Sequence, residues 1–140
     1  MGAIETIQAF NEAVNAQQWD HVATLTTQDF VFSGATPRPV GAQGYIDGQK
    51  AWFAGAPDFH IAFENLREEG GAVKADVRIT GTHTQVLALP GMPPLPATGK
   101  SFATKDRADF TLRGDQIATL TAVPGTPGLM EQLGIQPTMP

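Results

Sequence analysis

The chain has no cysteine among its 140 residues, so neither a disulfide framework nor a thiolate metal site is open to it. Its three histidines lie far apart in sequence, which argues against a zinc cluster as well. Basic residues are also scarce. Nine lysines and arginines stand singly in a chain of net charge −5, and no basic stripe exists to neutralise a phosphate backbone. Nucleic acid is therefore not an expected partner. No apolar run approaches the roughly 18 residues of a membrane span, and the start lacks the profile of a signal peptide. These absences lead to a soluble, cytoplasmic protein with no membrane partner. No phosphate-binding glycine fingerprint or metal motif occurs, so no cofactor and no metal are expected.

The length suits one domain, residues 1–140, which buries about two thirds of the surface its unfolded chain exposes. Ile4, Ile7, Phe10 and Val14 have the three-and-four spacing of a helical stripe. The polar break "NAQQ" follows, then a short helix from Asp20 with Val22 and Leu25 inward. "FVFS" reads as a strand and "TPRPVG" as a connection, while Tyr45, Ile46, Trp52 and Phe53 mark two turns of a third helix that ends at Gly55 and Pro57.

Beyond Asp58 the period falls to two. Phe59, Ile61 and Phe63 alternate with polar or small neighbours, "EEGG" turns the chain, and Val73, Ala75, Val77 and Ile79 alternate again. Ala108, Phe110 and Leu112 share one parity, "RGD" supplies a turn, and 117–123 read as the returning strand. "TPGLMEQLGI" reads as one closing turn of helix. Helices first and antiparallel strands afterwards predict an α+β fold, with helices against one face of a curved sheet.

The order of elements, together with "DFHIAFENL", "GTHT", "GK" after a proline loop and "GLMEQLG", resembles the SnoaL-like polyketide and ester cyclases of the nuclear transport factor 2-like superfamily. The resemblance runs over nearly the whole chain. It implies a cystatin-like cone, in which a curved antiparallel sheet wraps around the N-terminal helices and leaves a ligand pocket, and it implies a homodimer paired through the outer sheet face. In these cyclases an Asp late in the last strand and a His or Asp on the preceding strand move protons, near a pattern like "EHWD". Here the matching stretch is "ATLTAV", which places Ala122 and Ala108 at those positions. Neither alanine transfers a proton. Asp109 reaches the partner position only by a one-residue hairpin shift that would turn Phe110 outward.

Two other ionisable residues become the catalytic candidates. His83 shares the parity of Val73 to Gly81 and points inward, either as an acid, base or donor in a pocket or as a histidine that fixes the loop after it. Asp106 shares the parity of Ala108 and Phe110, either as an inward partner for His83 or as a surface carboxylate paired with Lys105, Arg107 or Lys74. Tyr45 reads as an oxyanion donor, as in ketosteroid isomerases of similar fold, or as a packed helix tyrosine. His60 belongs on the outer face, and His21 at a helix start.

Phe32, Trp52, Phe110, Leu120 and Met130 are candidate pocket walls. In "LALPGMPPLP" four prolines, Pro90, Pro93, Pro94 and Pro96, lower the cost of ordering the loop. Leu89, Met92 and Leu95 are then presented inward as a wall or lid, or cover a sheet edge or partner subunit. The functional expectation is a SnoaL-like protein with an apolar pocket for a small hydrophobic ligand. It acts as a cofactor-independent cyclase, isomerase or hydrolase by acid–base chemistry, or as a non-catalytic binding protein or dimeric scaffold.

Overall fold

The apolar stripe near the N-terminus becomes helix α1, Ala3–Asn15, with Ile7, Phe10, Ala13 and Val14 buried. The computed structural model describes residues 2–36, 38–125 and 128–134. After α1 the Gln17 N–H donates to the Val14 carbonyl at 3.0 Å and the Gln18 N–H to the Ala13 carbonyl at 2.9 Å. With Gln17 left-handed at φ 56°, this is a Schellman stop, and the polar break is its sequence trace. Helix α2, Trp19–Thr24, buries Val22, and α3, Ala42–Gly55, buries Tyr45, Ile46 and Phe53. A short α4, Leu129–Gln132, lies against the sheet, and Leu133 just after it is buried. Pro37 of the expected connection, and Thr126, Pro127 and Ile135 of the expected closing helix, lie outside the described residues.

Six strands form one sheet: β1 Thr26–Ser33, β2 His60–Glu69, β3 Ala72–Thr82, β4 Ser101–Ala103, β5 Asp106–Arg113 and β6 Gln116–Val123. Their order is β1-β6-β5-β3-β2, with β4 on β3. The fold is α+β, with a curved, open sheet that is mixed rather than antiparallel throughout. β1 runs parallel to β6, bringing Phe32 beside Leu120. β3 is the longest strand and is shared. Its first half, Val73 to Val77, pairs with β5, and its last part, Thr80 to Thr82, pairs with β4. Register breaks at Glu64/Arg67, Thr26/Val31 and Thr111/Leu112 bend the ladders. Strand parity holds. Val73, Ala75, Val77, Ala108 and Phe110 are buried, while Lys74 and Asp109 pair across the outer face at 3.2 Å. Among the described residues no helix is long and apolar enough to cross a membrane.

β2 is the sheet edge beyond β3, and α1 covers it with two amides one helical turn apart. Asn15 donates to the Ile61 carbonyl at 2.7 Å and accepts from the Ile61 N–H at 3.0 Å. Asn11 donates to the same carbonyl at 2.7 Å and accepts from the Phe63 N–H at 3.1 Å. The helix thus supplies the hydrogen bonds that a further strand would make. Asn15→Ala is expected to lower the unfolding free energy by about 1–3 kcal/mol in urea titrations, because it strands the Ile61 N–H. A loss below about 0.5 kcal/mol would mean that water serves this edge as well as the amide does.

Candidate functional site

β3 ends at Thr82, and the next residue, His83, continues its inward parity with only 1% of its surface exposed. The His83 N–H donates to the Lys100 carbonyl at 2.9 Å, and the Gly99 N–H donates to the His83 carbonyl at 2.8 Å. The proline loop therefore leaves the sheet at His83 and returns to it. Halfway out, Leu87 and Leu95 exchange both backbone hydrogen bonds, at 2.9 and 2.8 Å. Residues 84–98 form a braced flap.

Two glycines let this end of the molecule close. A Cβ on Gly55, the last residue of α3, would sit 3.0 Å from Cβ of the fully buried Leu87. The Gly55 carbonyl also accepts the Thr84 and Gln85 N–H groups at 3.2 and 3.0 Å. A Cβ on Gly81 would lie 2.6 Å from the ring of Phe102, which packs on Trp52 at 5.7 Å between centroids. On the outer side, Asp58 accepts the Thr82 N–H at 2.8 Å and its hydroxyl at 3.0 Å, and these bonds hold its carboxyl below the ordinary carboxylate range.

The two ring nitrogens of His83 differ. Nδ1 lies 3.0 Å from the Thr98 hydroxyl and accepts the Thr98 backbone N–H at 3.3 Å, so this side of the ring ties the strand to the flap. Nε2 is buried and has no hydrogen-bond partner among the described residues. Gln49, on the stripe of α3 that carries Tyr45 and Trp52, likewise has a buried side-chain oxygen without a partner among them.

The expected pairing of His83 with Asp106 does not form. Asp106 stands opposite Val77, six residues before His83, a separation of roughly 20 Å along the strand. Its carboxylate is half-buried and accepts the Gly125 N–H at 2.6 Å. Parity predicts the face of a strand but not the position along it, and β4 rather than β5 runs beside the end of β3. The hairpin shift is absent too, since Phe110 is buried and Asp109 outward. Ala108 and Ala122 stand directly opposite one another. His60 is exposed on the outer face near Asn15, and His21 is exposed on α2.

The candidate pocket walls pack against one another. Tyr45 is 3% exposed, with Phe10, Phe30 and Phe32 at 5.6, 6.1 and 4.9 Å, and burial raises its hydroxyl pKa. Phe110 and Leu120 are buried, with Phe63 5.1 Å from Phe110; Phe32, Trp52 and Met130 are half-buried. Leu89 and Leu95 reach the core, but Met92 is 40% exposed and does not point inward. The flap's inward anchor is Leu87, three residues before the first of the loop's prolines, Pro90. Two surface hollows lie elsewhere. One of about 230 Å³ is lined by Arg67, Lys74 and Arg107 on the outer sheet face, and one of about 490 Å³ lies around Trp19 and Lys50. Neither is lined by a candidate wall residue. Among the described residues no three His, Asp or Glu side chains gather as a metal site would need.

With this geometry in hand, comparison with known proteins places the chain. The sequence profile of the SnoaL-like polyketide cyclase family matches residues 4–133. The chain belongs to this family. Solved structures agree at the level of fold. A SnoaL-like polyketide cyclase from Agrobacterium tumefaciens is 21% identical, with TM-score 0.72, covering 96% of this chain and 100% of that one. A protein of ketosteroid isomerase-like fold from Catenulispora acidiphila is 16% identical, with TM-score 0.70 and 94% of each chain covered. A cystatin-fold protein from Novosphingobium aromaticivorans is 25% identical, with TM-score 0.62, covering 88% of this chain and 98% of that one. No curated protein matches the chain in sequence.

The flap's energetics follow from its burial. Leu87→Ala is expected to cost about 2–5 kcal/mol of unfolding free energy, whereas Met92→Ala should stay within about 0.5 kcal/mol. Urea denaturation of both variants checks this, and equal losses would contradict the placement of the flap's anchor.

Proposed function

We propose that this SnoaL-like protein binds a small, largely apolar molecule at the end of the cone where β3 runs into the flap, with His83 as its polar anchor. The observation that carries this reading is the buried, unpartnered Nε2. Leaving such a group unsatisfied costs about 1–3 kcal/mol, which a ligand atom in hydrogen-bond reach would recover. Trp52, Phe102 and Leu87 supply an apolar setting on the elements that meet there. Because His83 is covered, the ligand enters by displacing the flap ahead of Thr98, residues 84–97, whose middle is braced by the Leu87–Leu95 bridge.

A second reading, favoured by the family match, is a cyclase-type enzyme working through His83 without a carboxylate partner. Self-association is proposed on the outer sheet face, where Val31 and Val123 are exposed, and a monomer in sedimentation at micromolar concentration contradicts it. Native mass spectrometry after mild purification is expected to show a small apolar molecule that is reduced or lost in His83→Phe. Retention of the same molecule at the same occupancy in that variant would move the site away from His83. Solvent deuterium incorporated into a ketone at a rate abolished by His83→Phe would favour the enzyme; the binding reading predicts none.

A further inference from the structure

The arrangement around His83 also indicates which kind of atom its free nitrogen can meet. The Thr98 hydroxyl, 3.0 Å from Nδ1, can donate or accept, but the Thr98 backbone N–H at 3.3 Å only donates, and it fits a neutral ring whose proton is on Nε2. Both faces of the contact are set by the backbone. Thr98 is held in place by the Gly99 and Lys100 bonds to His83, and its hydroxyl accepts the Lys100 N–H at 3.3 Å. We infer that His83 is presented as a fixed hydrogen-bond donor, with Thr98 as the residue that positions it. The site thereby selects apolar ligands that carry an acceptor oxygen, such as a ketone, ester or quinone carbonyl. This rests on the binding reading above and narrows it.

Hydrocarbons of the same shape would leave Nε2 unsatisfied. Alkylammonium ions would bring a second donor against the first. Asp106, on β5, stands opposite Val77, far from the end of β3, and Asp58 is engaged by Thr82 on the outer side, so neither carboxylate receives such a cation. Discrimination of this kind is strongest where the protein's own polar group is stranded by the wrong ligand.

Two measurements test the inference. Long-range proton–nitrogen NMR correlations report the tautomer of His83 directly, and the expected pattern is that of a ring protonated at Nε2 alone. A ring protonated at Nδ1 overturns the inference. Thr98→Pro removes the N–H and should shift the population toward Nδ1–H. Thr98→Val keeps the N–H, removes only the hydroxyl, and should leave the pattern unchanged. A tautomer change in Thr98→Val overturns the assignment to the backbone N–H, and this variant remains informative if the proline variant does not fold.

The second measurement compares acetylnaphthalene with isopropenylnaphthalene, which replaces the carbonyl oxygen by a methylene. The ketone is expected to bind about tenfold more tightly, and the preference should vanish in His83→Phe. Equal binding of both probes overturns the inference and leaves the binding reading standing. Binding of neither overturns the binding reading, and the inference with it.

Discussion

The contact between Thr98 and the imidazole of His83 is the constraint on which the closed end of this molecule depends. It is the side-chain link between the end of the longest strand and the returning limb of the flap, and two backbone bonds frame it. Besides this contact the flap is held by the Thr84 and Gln85 N–H groups on the Gly55 carbonyl, by Leu87 against Gly55, and by the His83–Lys100 and Gly99–His83 backbone bonds at its base. The same contact decides the chemistry. With Nδ1 occupied in this way, Nε2 is left buried and without a hydrogen-bond partner among the described residues.

Much of the fold was legible because its signals are local. The helical stripe of α1 and the alternation of β3 and β5 report which face is buried, and each matches the burial seen. The parallel pairing of β1 with β6 was not legible. No turn joins the two strands, and Phe32 beside Leu120 is a matter of global closure rather than of either strand's own pattern. Nothing in the polar spacing of "FNEAVNAQQ" announces the amides of Asn11 and Asn15 on the β2 edge either; their one-turn separation on a helix is the available clue.

The site was legible in half. Parity turned His83 inward and correctly kept Asp109 outside, but it could not say that β4 would intervene and leave Asp106 opposite Val77. Prolines identified a rigid loop without identifying its anchor: Leu87 precedes them, and the space it fills is created by Gly55 on a distant helix. The rings of Phe32, Tyr45 and Phe110 have the pattern expected of pocket walls, yet Phe32 packs on Tyr45, Tyr45 on Phe10 and Phe30, and Phe110 on Phe63. Apolar pattern alone does not separate a wall from a core, because both are produced by the same burial. A stranded polar atom does separate them, and only coordinates reveal one.

A ligand is expected to meet His83 in the interior beneath the flap. The most direct measurement is a crystal structure of the protein with acetylnaphthalene. The carbonyl oxygen is expected within about 3 Å of Nε2, with residues 84–97 displaced and the Thr98 N–H still facing Nδ1. A ketone seated in either surface hollow, with His83 still covered, would contradict it.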